Sequence, residues 1–568
     1  MFIYPAAVSF LYMIMQNPRF VNPKMHLTDA LHTIFLSRCH TTNSPLVIDT
    51  ETKLCYNLFS RYRQSSARRI LMMKKYKNLL LAAVMFMAVC VLAVITALVL
   101  PPDDLTALPD TPASAPVLSE SDVPDEEVRL GPVSAPILIT AADPNRTLTD
   151  AEKKTYPQPN GIPTLYIELK NGKKYRDIQH SVFSEAVYTL VDGDTGIVSQ
   201  PLGIAGRGNY SWNMGEKKTY ALSLNEKADL LGMGAARRWV LLSGYNDRTL
   251  MRNYMALTFS REIGMEYAPE CRHIDLYFNG TYFGNYLLVE KIQINNQRVN
   301  IDTDKGGLFE IERTYRHGDC TYCIDCPSGV HVMYKSPDED EIGAELKAAY
   351  LKKFKSLFIK ADIAISKGYA YYSRYIDVDS FIDWYILNEF VKNYDSGFTT
   401  SCYCWADNSG IIHMGPVWDY DTCMGNQSSA TGVYPEGYHV AQAEEPSWSS
   451  PWYVMLMKDE TFFRLVCERW TELVDSGMLT WFFDEWYAHD EIIAASAAEN
   501  FKKWPQSLSY SDRGSFLTTK THEDEINYVV NFLSARYNWL CDQWYLGEEK
   551  PYRDTDWYTW YERGRYTK

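Results

Sequence analysis

A change in hydrophobic periodicity near residue 338 is the feature that most constrains the fold of this chain. From about residue 162 to 312, apolar and polar residues alternate in short stretches separated by turn signals such as Asn279-Gly280, a pattern that predicts β-strands. Beyond residue 338, apolar residues recur at helical spacing. The order predicts an α+β fold in which a β-rich part precedes a helical part, with a ligand cleft between them.

The two periodicities also predict where the individual elements lie. The predicted strands are 164–169, 187–191, 218–224, 237–242, 272–278, 283–290 and 307–312 in the first part, then 402–406 and 411–417. The predicted helices are 250–263, 339–360, 378–394, 458–476, 479–499 and 522–546.

An uncharged apolar stretch lies before the globular part, at residues 79–100. As a helix it would be roughly 33 Å long, which is enough to cross a bilayer. Basic residues precede the stretch, and Asp103 and Asp104 follow it. The positive-inside rule therefore predicts a single-pass cell-membrane protein whose C-terminal domain lies outside the cytoplasm.

Composition divides the rest of the chain. The stretch before the membrane segment shows no sustained period, so we interpret it as a cytoplasmic tail or a misassigned start. The stretch after it is rich in Pro and Asp and predicts an extended linker. The predicted segments are 1–72 leader, 73–100 signal anchor, 101–158 linker, 159–338 β-rich lobe, 339–548 helical lobe and 549–568 aromatic tail.

Charge and cysteine content limit the partners. A net charge of -15 argues against a nucleic-acid partner, because no broadly basic surface is available to neutralise phosphates. Three of the 12 cysteines form a dense cluster, Cys320, Cys323 and Cys326. The cluster either binds zinc, although no fourth ligand is evident, or it forms disulfides and free thiols in a surface insertion.

Carboxylates at two places suggest the chemistry. Asp395 follows the end of a predicted helix, and Trp418-Asp419-Tyr420-Asp421 continues a predicted strand. One carboxylate that orients an acceptor hydroxyl and others that hold a divalent metal are what a Mg-nucleotide site requires. Solvated acids in turns are the alternative interpretation of these residues.

Several motifs in a fixed order resemble those of the spore-coat protein H (CotH) kinase family. The resemblance covers roughly residues 160–500 and implies a divergent two-lobed protein-kinase-like α+β domain. The motifs are Gly206-Arg207-Gly208-Asn209-Tyr210-Ser211-Trp212, Lys217-Lys218-x-Tyr220-x-Leu222, Leu230-Leu231-Gly232-Met233, Trp239-Val240-Leu241-Leu242, Asn246-Asp247-Arg248-Thr249-Leu250-Met251-Arg252-Asn253, Asn279-Gly280-x-Tyr282-x-Gly284-x-Tyr286-Leu287-Leu288-x-Glu290, Asn393-x-Asp395 and Gly415-Pro416-Val417-Trp418-Asp419-Tyr420-Asp421.

The resemblance implies roles for the carboxylates. Asp395 matches the position of the general base that orients the acceptor hydroxyl. Asp419 matches the metal-binding carboxylate. Asp421 lies two residues further on, so on a strand it would face the same side and either join the metal or orient a basic side chain.

Cationic and acidic residues of the β-rich part are candidates for nucleotide binding. Lys218 either contacts the α- and β-phosphates or is a surface lysine, and the neighbouring Lys217 is expected at the surface. Arg207 either donates two parallel hydrogen bonds to a phosphate or forms a buried ion pair. Glu290 either pairs with the phosphate lysine or lies at an adenine-binding hinge.

These inferences predict a membrane-anchored atypical kinase that uses ATP with Mg²⁺ or Mn²⁺. Its substrates would be Ser or Thr residues of envelope or coat proteins. One alternative is a non-catalytic envelope or spore-coat structural protein or adhesin with a kinase-like fold. Another is a carbohydrate-active protein in which Asp395 and Asp419 are paired carboxylates.

Overall fold

The computed structural model describes residues 145–554, except for 209, 304, 313–321, 338–341, 395, 408, 428–429, 442–449 and 509–518. The strands in this part are β1 Arg146–Thr147, β2 Thr164–Leu169, β3 Ser184–Asp192, β4 Thr195–Gly206, β5 Tyr220–Asp229, β6 Ala235–Leu242, β7 Cys271–Phe278, β8 Thr281–Glu290, β9 Gly307–Ile311, β10 Cys323–Asp325, β11 His331–Ser336, β12 Cys402–Ala406 and β13 Ile412–Met414. The α-helices are α1 Asp150–Thr155, α2 Tyr210–Met214, α3 Arg252–Glu262, α4 Ala344–Ile365, α5 Tyr369–Tyr372, α6 Val378–Phe390, α7 Ala430–Val433, α8 Pro451–Leu456, α9 Glu460–Asp475, α10 Met478–Lys503 and α11 His522–Trp544.

The first sheet closes on itself. Its eight strands follow the order β1-β4-β3-β2-β7-β8-β6-β5, and β4 also pairs with β5, so every strand except β1 belongs to a closed circuit. The β2–β7 pair is parallel, and the other neighbours are antiparallel. The β7–β8 hairpin turns at Asn279-Gly280, where both residues have positive φ (46° and 75°), as the sequence predicted.

Alternation along the strands places one apolar face of each inside the closed sheet. Ile167, Ile204, Leu222, Trp239 and Leu288 belong to this interior, and each is at most 1% exposed. Burying side chains of this size stabilises the fold by about 1.5–3 kcal/mol each.

The second sheet has five strands in the order β10-β11-β9-β12-β13. It combines strands that precede residue 338 with strands that follow it, because β9 pairs with both β11 and β12. Helices α4, α6 and α8 pack in the same apolar core as this sheet, with Phe309, Phe358, Phe381 and Trp452 fully buried. Asp377 caps α6, since its side chain accepts a hydrogen bond from the Ser380 amide.

The predicted fold class is wrong in its architecture. We predicted a divergent two-lobed kinase-like domain behind an N-terminal transmembrane helix. The structure instead has a closed seven-stranded circuit together with a second five-stranded sheet and its helices. Local alternation predicted many of the strands, but sheet closure depends on the β4–β5 and β2–β7 pairings, which local patterns do not encode.

The predicted single-pass membrane location is also corrected. None of the helices in the described part of the chain combines sufficient length with sufficient apolar character to span a bilayer. Residues 79–100, on which that prediction rested, lie outside the described residues, as do the leader, most of the linker and most of the aromatic tail.

Candidate active site

Asp419 lies in an extended segment after β13, which ends at Met414. Its φ of 69° places it in the left-handed region, an uncommon conformation for a residue other than Gly. Ser401 Oγ donates a hydrogen bond to Asp419 Oδ2 at 3.2 Å, and Asn393 Nδ2 donates one to the Asp419 carbonyl at 3.3 Å. Ser401 therefore holds the carboxylate of Asp419, and Asn393, two residues before Asp395 in the chain, holds its backbone.

Asp421 is held from the other side, by the segment before α3. Asn246 Nδ2 donates to Asp421 Oδ2 at 3.3 Å. Asn426 Nδ2 lies within hydrogen-bond distance of the Asp421 carbonyl, at 2.8 Å, and of the Asn246 carbonyl, at 2.9 Å. The intervening Tyr420 amide donates to Asn253 Oδ1 at 2.9 Å. Asn246 thus holds the Asp421 carboxylate, and Asn253 and Asn426 hold the backbone of residues 420 and 421.

The segment carrying both acids is not a strand, so our expectation that they share one face of a strand is wrong. The strand ends at Met414, and Pro416, two residues further on, has no N–H to donate to a neighbouring strand. The Gly415-Pro416 pair is a turn signal that is visible in the sequence, and our predicted strand 411–417 wrongly ran through it.

The turn that precedes Asp395 is organised by Asn388 of α6, which is fully buried. Its Oδ1 accepts hydrogen bonds from Asn393 Nδ2 at 3.4 Å and from Ser396 Oγ at 3.3 Å, and its Nδ2 donates to the Trp384 carbonyl at 2.8 Å. Asn388 therefore holds together the two sides of the turn. Asp395 itself lies outside the described residues.

Arg207 follows the end of β4 and lies beside Trp418. Its guanidinium carbon is 5.2 Å from the centroid of the Trp418 ring. Burial raises the pKa of the Tyr403 phenol well above its ordinary value. The charge of Arg207 lowers this pKa, and the charge of Asp419 raises it. Arg207 therefore contacts Trp418, the residue that immediately precedes Asp419 in the chain.

Of the two adjacent lysines, Lys217 is buried, although we expected it at the surface. Lys218 is half-buried; its Nζ donates to the Trp212 carbonyl and lies 5.3 Å from the centroid of the Trp212 ring. Lys217 is fully buried; its Nζ donates to the Asn285 carbonyl at 2.5 Å and lies 4.7 Å from the centroid of the Tyr286 ring. Neither lysine is in strand β5, which begins at Tyr220.

Glu290 ends β8 and forms an ion pair with Arg298, with 2.5 Å between Oε1 and Nη1. Its other oxygen accepts a hydrogen bond from the Glu270 amide at 2.9 Å. Burial raises the pKa of Glu290 to about 7, although Arg298 lowers it. The partner that the structure gives to Glu290 is thus Arg298, not the phosphate lysine that the sequence suggested.

Arg252, the first residue of α3, connects the candidate site to the C-terminal helix. It is fully buried and forms ion pairs with Asp247 at 2.6 Å and with Glu525 of α11 at 2.8 Å. Its Nε also donates to the Cys423 carbonyl at 3.0 Å, just beyond Asp421. The motif from Asn246 to Asn253, which contains Arg252, therefore supports the acidic segment, Asp419–Asp421.

The cysteine cluster is split between two chemical states. Cys323 is in a disulfide, and Cys326 is a buried free thiol. No group of three or more His, Cys, Asp or Glu side chains that could hold a metal occurs in the described ranges. Cys320 falls outside them.

The supporting residues that the sequence did not identify are Asn246, Asn253, Ser401 and Asn426. Two of them lie in the motif that ends at Asn253, so the signal was present, but a motif does not reveal which distant carboxylate an amide reaches. Asn246 and Asp421 are 175 residues apart in the chain.

The family model for the CotH kinase protein matches residues 204–540 of this chain. This range includes Arg207, the two lysines, Glu290 and the acidic segment. The chain therefore belongs to the CotH kinase family, as its motifs indicated.

Among curated proteins, the chain is similar to the inner spore coat protein H of Bacillus subtilis (strain 168). The two are 25% identical over 232 residues, which is 39% of this chain and 58% of the relative. The match thus spans somewhat more than half of the relative's length. Family membership and this similarity relate the chain to spore-coat proteins.

Proposed function

We propose that this protein is an atypical protein kinase that transfers the γ-phosphate of ATP to Ser or Thr hydroxyls. The observation that carries the proposal is the acidic segment Asp419–Asp421, which five polar side chains hold in place and which directly follows Trp418, the residue that the Arg207 guanidinium contacts. Phosphoryl transfer depends mainly on positioning and on charge stabilisation, and this arrangement supports both.

The donor set fits a hard divalent cation. Carboxylate oxygens of Asp419 and Asp421 are the ligands that Mg²⁺ and Mn²⁺ prefer, and Mg²⁺ commonly uses one or two carboxylates, with water and phosphate oxygens completing its shell. The bound ion would supply neutralisation of phosphate charge. Ser401 and Asn246 each hold one of these carboxylates, so little reorientation is needed for binding.

Arg207 and Asp395 have distinct proposed roles. Arg207 is held over Trp418, from where its planar fork can donate two hydrogen bonds to a phosphate. Asp395 follows the turn that Asn388 organises and would accept the proton of the acceptor hydroxyl. Lys217 and Lys218 donate to backbone carbonyls, so we assign neither to a phosphate.

The similarity to an inner spore coat protein suggests the substrate class. We propose that the acceptor is a Ser- or Thr-containing coat or envelope protein. A non-catalytic coat protein with the same fold is the competing hypothesis, and measurements of activity and of nucleotide binding distinguish the two.

Transfer of radiolabelled phosphate tests the proposal. The purified chain is incubated with γ-labelled ATP, Mg²⁺ or Mn²⁺ and a Ser-rich acceptor protein. We expect Asp419→Asn and Asp395→Asn each to lower transfer by about 10³-fold or more, because each removes a charge that acts on the transferring group. Asp194→Asn, at an exposed carboxylate, is the matched control and should keep full activity.

Thermal stability is measured alongside, so that misfolding is not mistaken for lost chemistry. ATP with metal should raise the Tm of the wild-type protein in proportion to ln(1 + [L]/Kd), and Asp419→Asn should reduce that shift. Label that is incorporated equally by the wild type and both variants would refute the assignment. Absence of both transfer and a Tm shift would favour the non-catalytic coat protein.

A further inference from the structure

The turn before Asp395 has a second support, on the side opposite Asn388. His439 Nε2 is 3.0 Å from the Tyr394 carbonyl oxygen, and the two rings stack with centroids 5.0 Å apart and planes 21° apart. His439 is 2% exposed. One imidazole therefore fixes both the carbonyl and the ring of the residue that immediately precedes Asp395.

His439 is itself fixed by a loop whose backbone is bound by buried charged side chains. Lys392 Nζ donates to the Tyr434 and Glu436 carbonyls at 2.7 and 2.6 Å. Arg536 Nη1 lies 2.7 and 2.6 Å from the Pro435 and Gly437 carbonyls. Lys392 and Arg536 thus bind four successive carbonyls of the loop.

The far side of the same loop is bound by an anion. The Glu389 carboxylate accepts hydrogen bonds from the amides of His439 at 2.8 Å and Val440 at 2.7 Å. Arg536 Nη2 pairs with that carboxylate at 2.7 Å. The loop from residue 434 to 440 is therefore held by Glu389 of α6, Arg536 of α11 and Lys392, two residues after the end of α6.

Burying such charges is costly. Glu389 and Arg536 are both fully buried, and Lys392 is 2% exposed. Desolvation of a buried ion pair commonly offsets its attraction, so an apolar cluster of the same size would stabilise the fold at least as well. The network specifies where the loop lies, and through His439 it specifies where Tyr394 lies.

The protonation state of His439 suits this role. Burial lowers the pKa of His439 to about 3, and the neighbouring Lys392 lowers it further. The ring is therefore neutral at ordinary pH, and a proton on Nε2 can be donated to the Tyr394 carbonyl.

We propose that His439 is a positioning residue for the phosphoryl transfer, and that the loop bound by Glu389, Lys392 and Arg536 is its support. His439 holds the carbonyl of Tyr394, the residue that immediately precedes Asp395 in the chain. This inference rests on the proposed kinase activity, but it predicts a change in the free protein that is measurable without any substrate.

The test compares three substitutions. His439→Phe keeps the stacking and removes the donor, and His439→Gln restores a donor at the position of Nε2. His489→Phe is the matched control, because His489 is also buried, stacks on a tyrosine (Tyr254, 3.5 Å between centroids) and has a hydrogen-bond partner elsewhere in the fold. We expect His439→Phe to lower kcat by roughly 10–100-fold with KM for ATP unchanged. His439→Gln should recover most of the loss.

Amide hydrogen exchange of residues 392–398 is the second measurement, made without nucleotide. It should be faster in His439→Phe than in the wild type and unchanged in His489→Phe. Unchanged exchange in His439→Phe, or an equal fall of kcat in the His489 control, would overturn the positioning role. A wild-type protein without any phosphate transfer would refute the kinase proposal, whereas the exchange result tests the turn independently.

Discussion

At the scale of single residues, the surroundings decide what a side chain can do. Lys217 and Lys218 are adjacent and chemically identical, yet one is fully buried and the other half-buried. Alternation predicts that two neighbours face opposite sides, but it does not tell which one faces the core when both are lysines. The Asn285 carbonyl and the Tyr286 ring, both on β8, offset part of the cost of removing the Lys217 amine from water.

The buried lysine makes stability depend on pH. Burial lowers the pKa of Lys217 from 10.5 to about 7. Between these two values the unfolded chain binds a proton that the folded protein does not, so this group makes the free energy of unfolding rise with pH. From pH 7 to pH 9, we expect the free energy of unfolding of the wild type to rise by about 2 kcal/mol relative to that of Lys217→Met.

Urea unfolding at pH 7, 8 and 9 measures this difference. Lys502→Met, at a lysine whose side chain is 71% exposed, serves as the control and should run parallel to the wild type at every pH. A constant difference between the wild type and Lys217→Met would show that Lys217 remains charged in the folded protein.

At the scale of elements, local patterns predicted most strands and helices but missed β4. This strand of 12 residues contains Gly196, Pro201, Gly203 and Gly206, and both residue types are depleted in strands. The structure uses small residues there because neighbours approach closely: a Cβ at Gly206 would lie 2.2 Å from the Trp212 ring. Contacts of this kind are made in three dimensions, so the sequence shows the glycines but not their reason.

The packing of β8 on the end of α10 shows the same principle. Gly284 has a φ of 127°, and a Cβ there would lie 2.8 Å from Asn500 Oδ1 and 3.0 Å from Trp504 Nε1. Asn500 accepts a hydrogen bond from the Asn285 amide, and Trp504 donates one to the Phe283 carbonyl. Neither side chain can move away without losing its bond.

We therefore expect Gly284→Ala to lower the free energy of unfolding by about 2–4 kcal/mol, combining backbone strain with overpacking. Gly280→Ala is the control, because Gly280 also has a positive φ, but a Cβ there would meet no atom within 4 Å. It should cost only about 1–2 kcal/mol, the strain contribution. Thermal unfolding of the three proteins checks the order, and equal losses in both variants would mean that crowding at Gly284 is negligible.

At the scale of the whole molecule, sequence reasoning identified the family and the acidic segment but not the architecture. The β2–β7 and β4–β5 pairings close the first sheet, and β9 draws β12 into the second. The β2–β7 and β9–β12 pairings join strands that are not consecutive in the chain, and strand periodicity reports neither these two nor the β4–β5 pairing. The conformation of Asp419 was equally hidden, because it depends on partners from separate segments.

Arg252 allows the connection between distant segments to be tested. It joins Asp247 before α3, the Cys423 carbonyl after the acidic segment and Glu525 of α11. Arg252→Met would leave two buried carboxylates without their cation, so we expect a loss of about 3–5 kcal/mol in the free energy of unfolding. Arg261→Met, on the same helix but at an arginine that is 38% exposed in its pair with Glu270, should cost less than about 1 kcal/mol.

Chemical denaturation compares the two, and ATP-induced Tm shifts in the folded variants report on the acidic segment. Similar small losses for both arginines would show that the candidate site keeps its shape without this buried junction, so that the asparagines around Asp421 suffice to hold it.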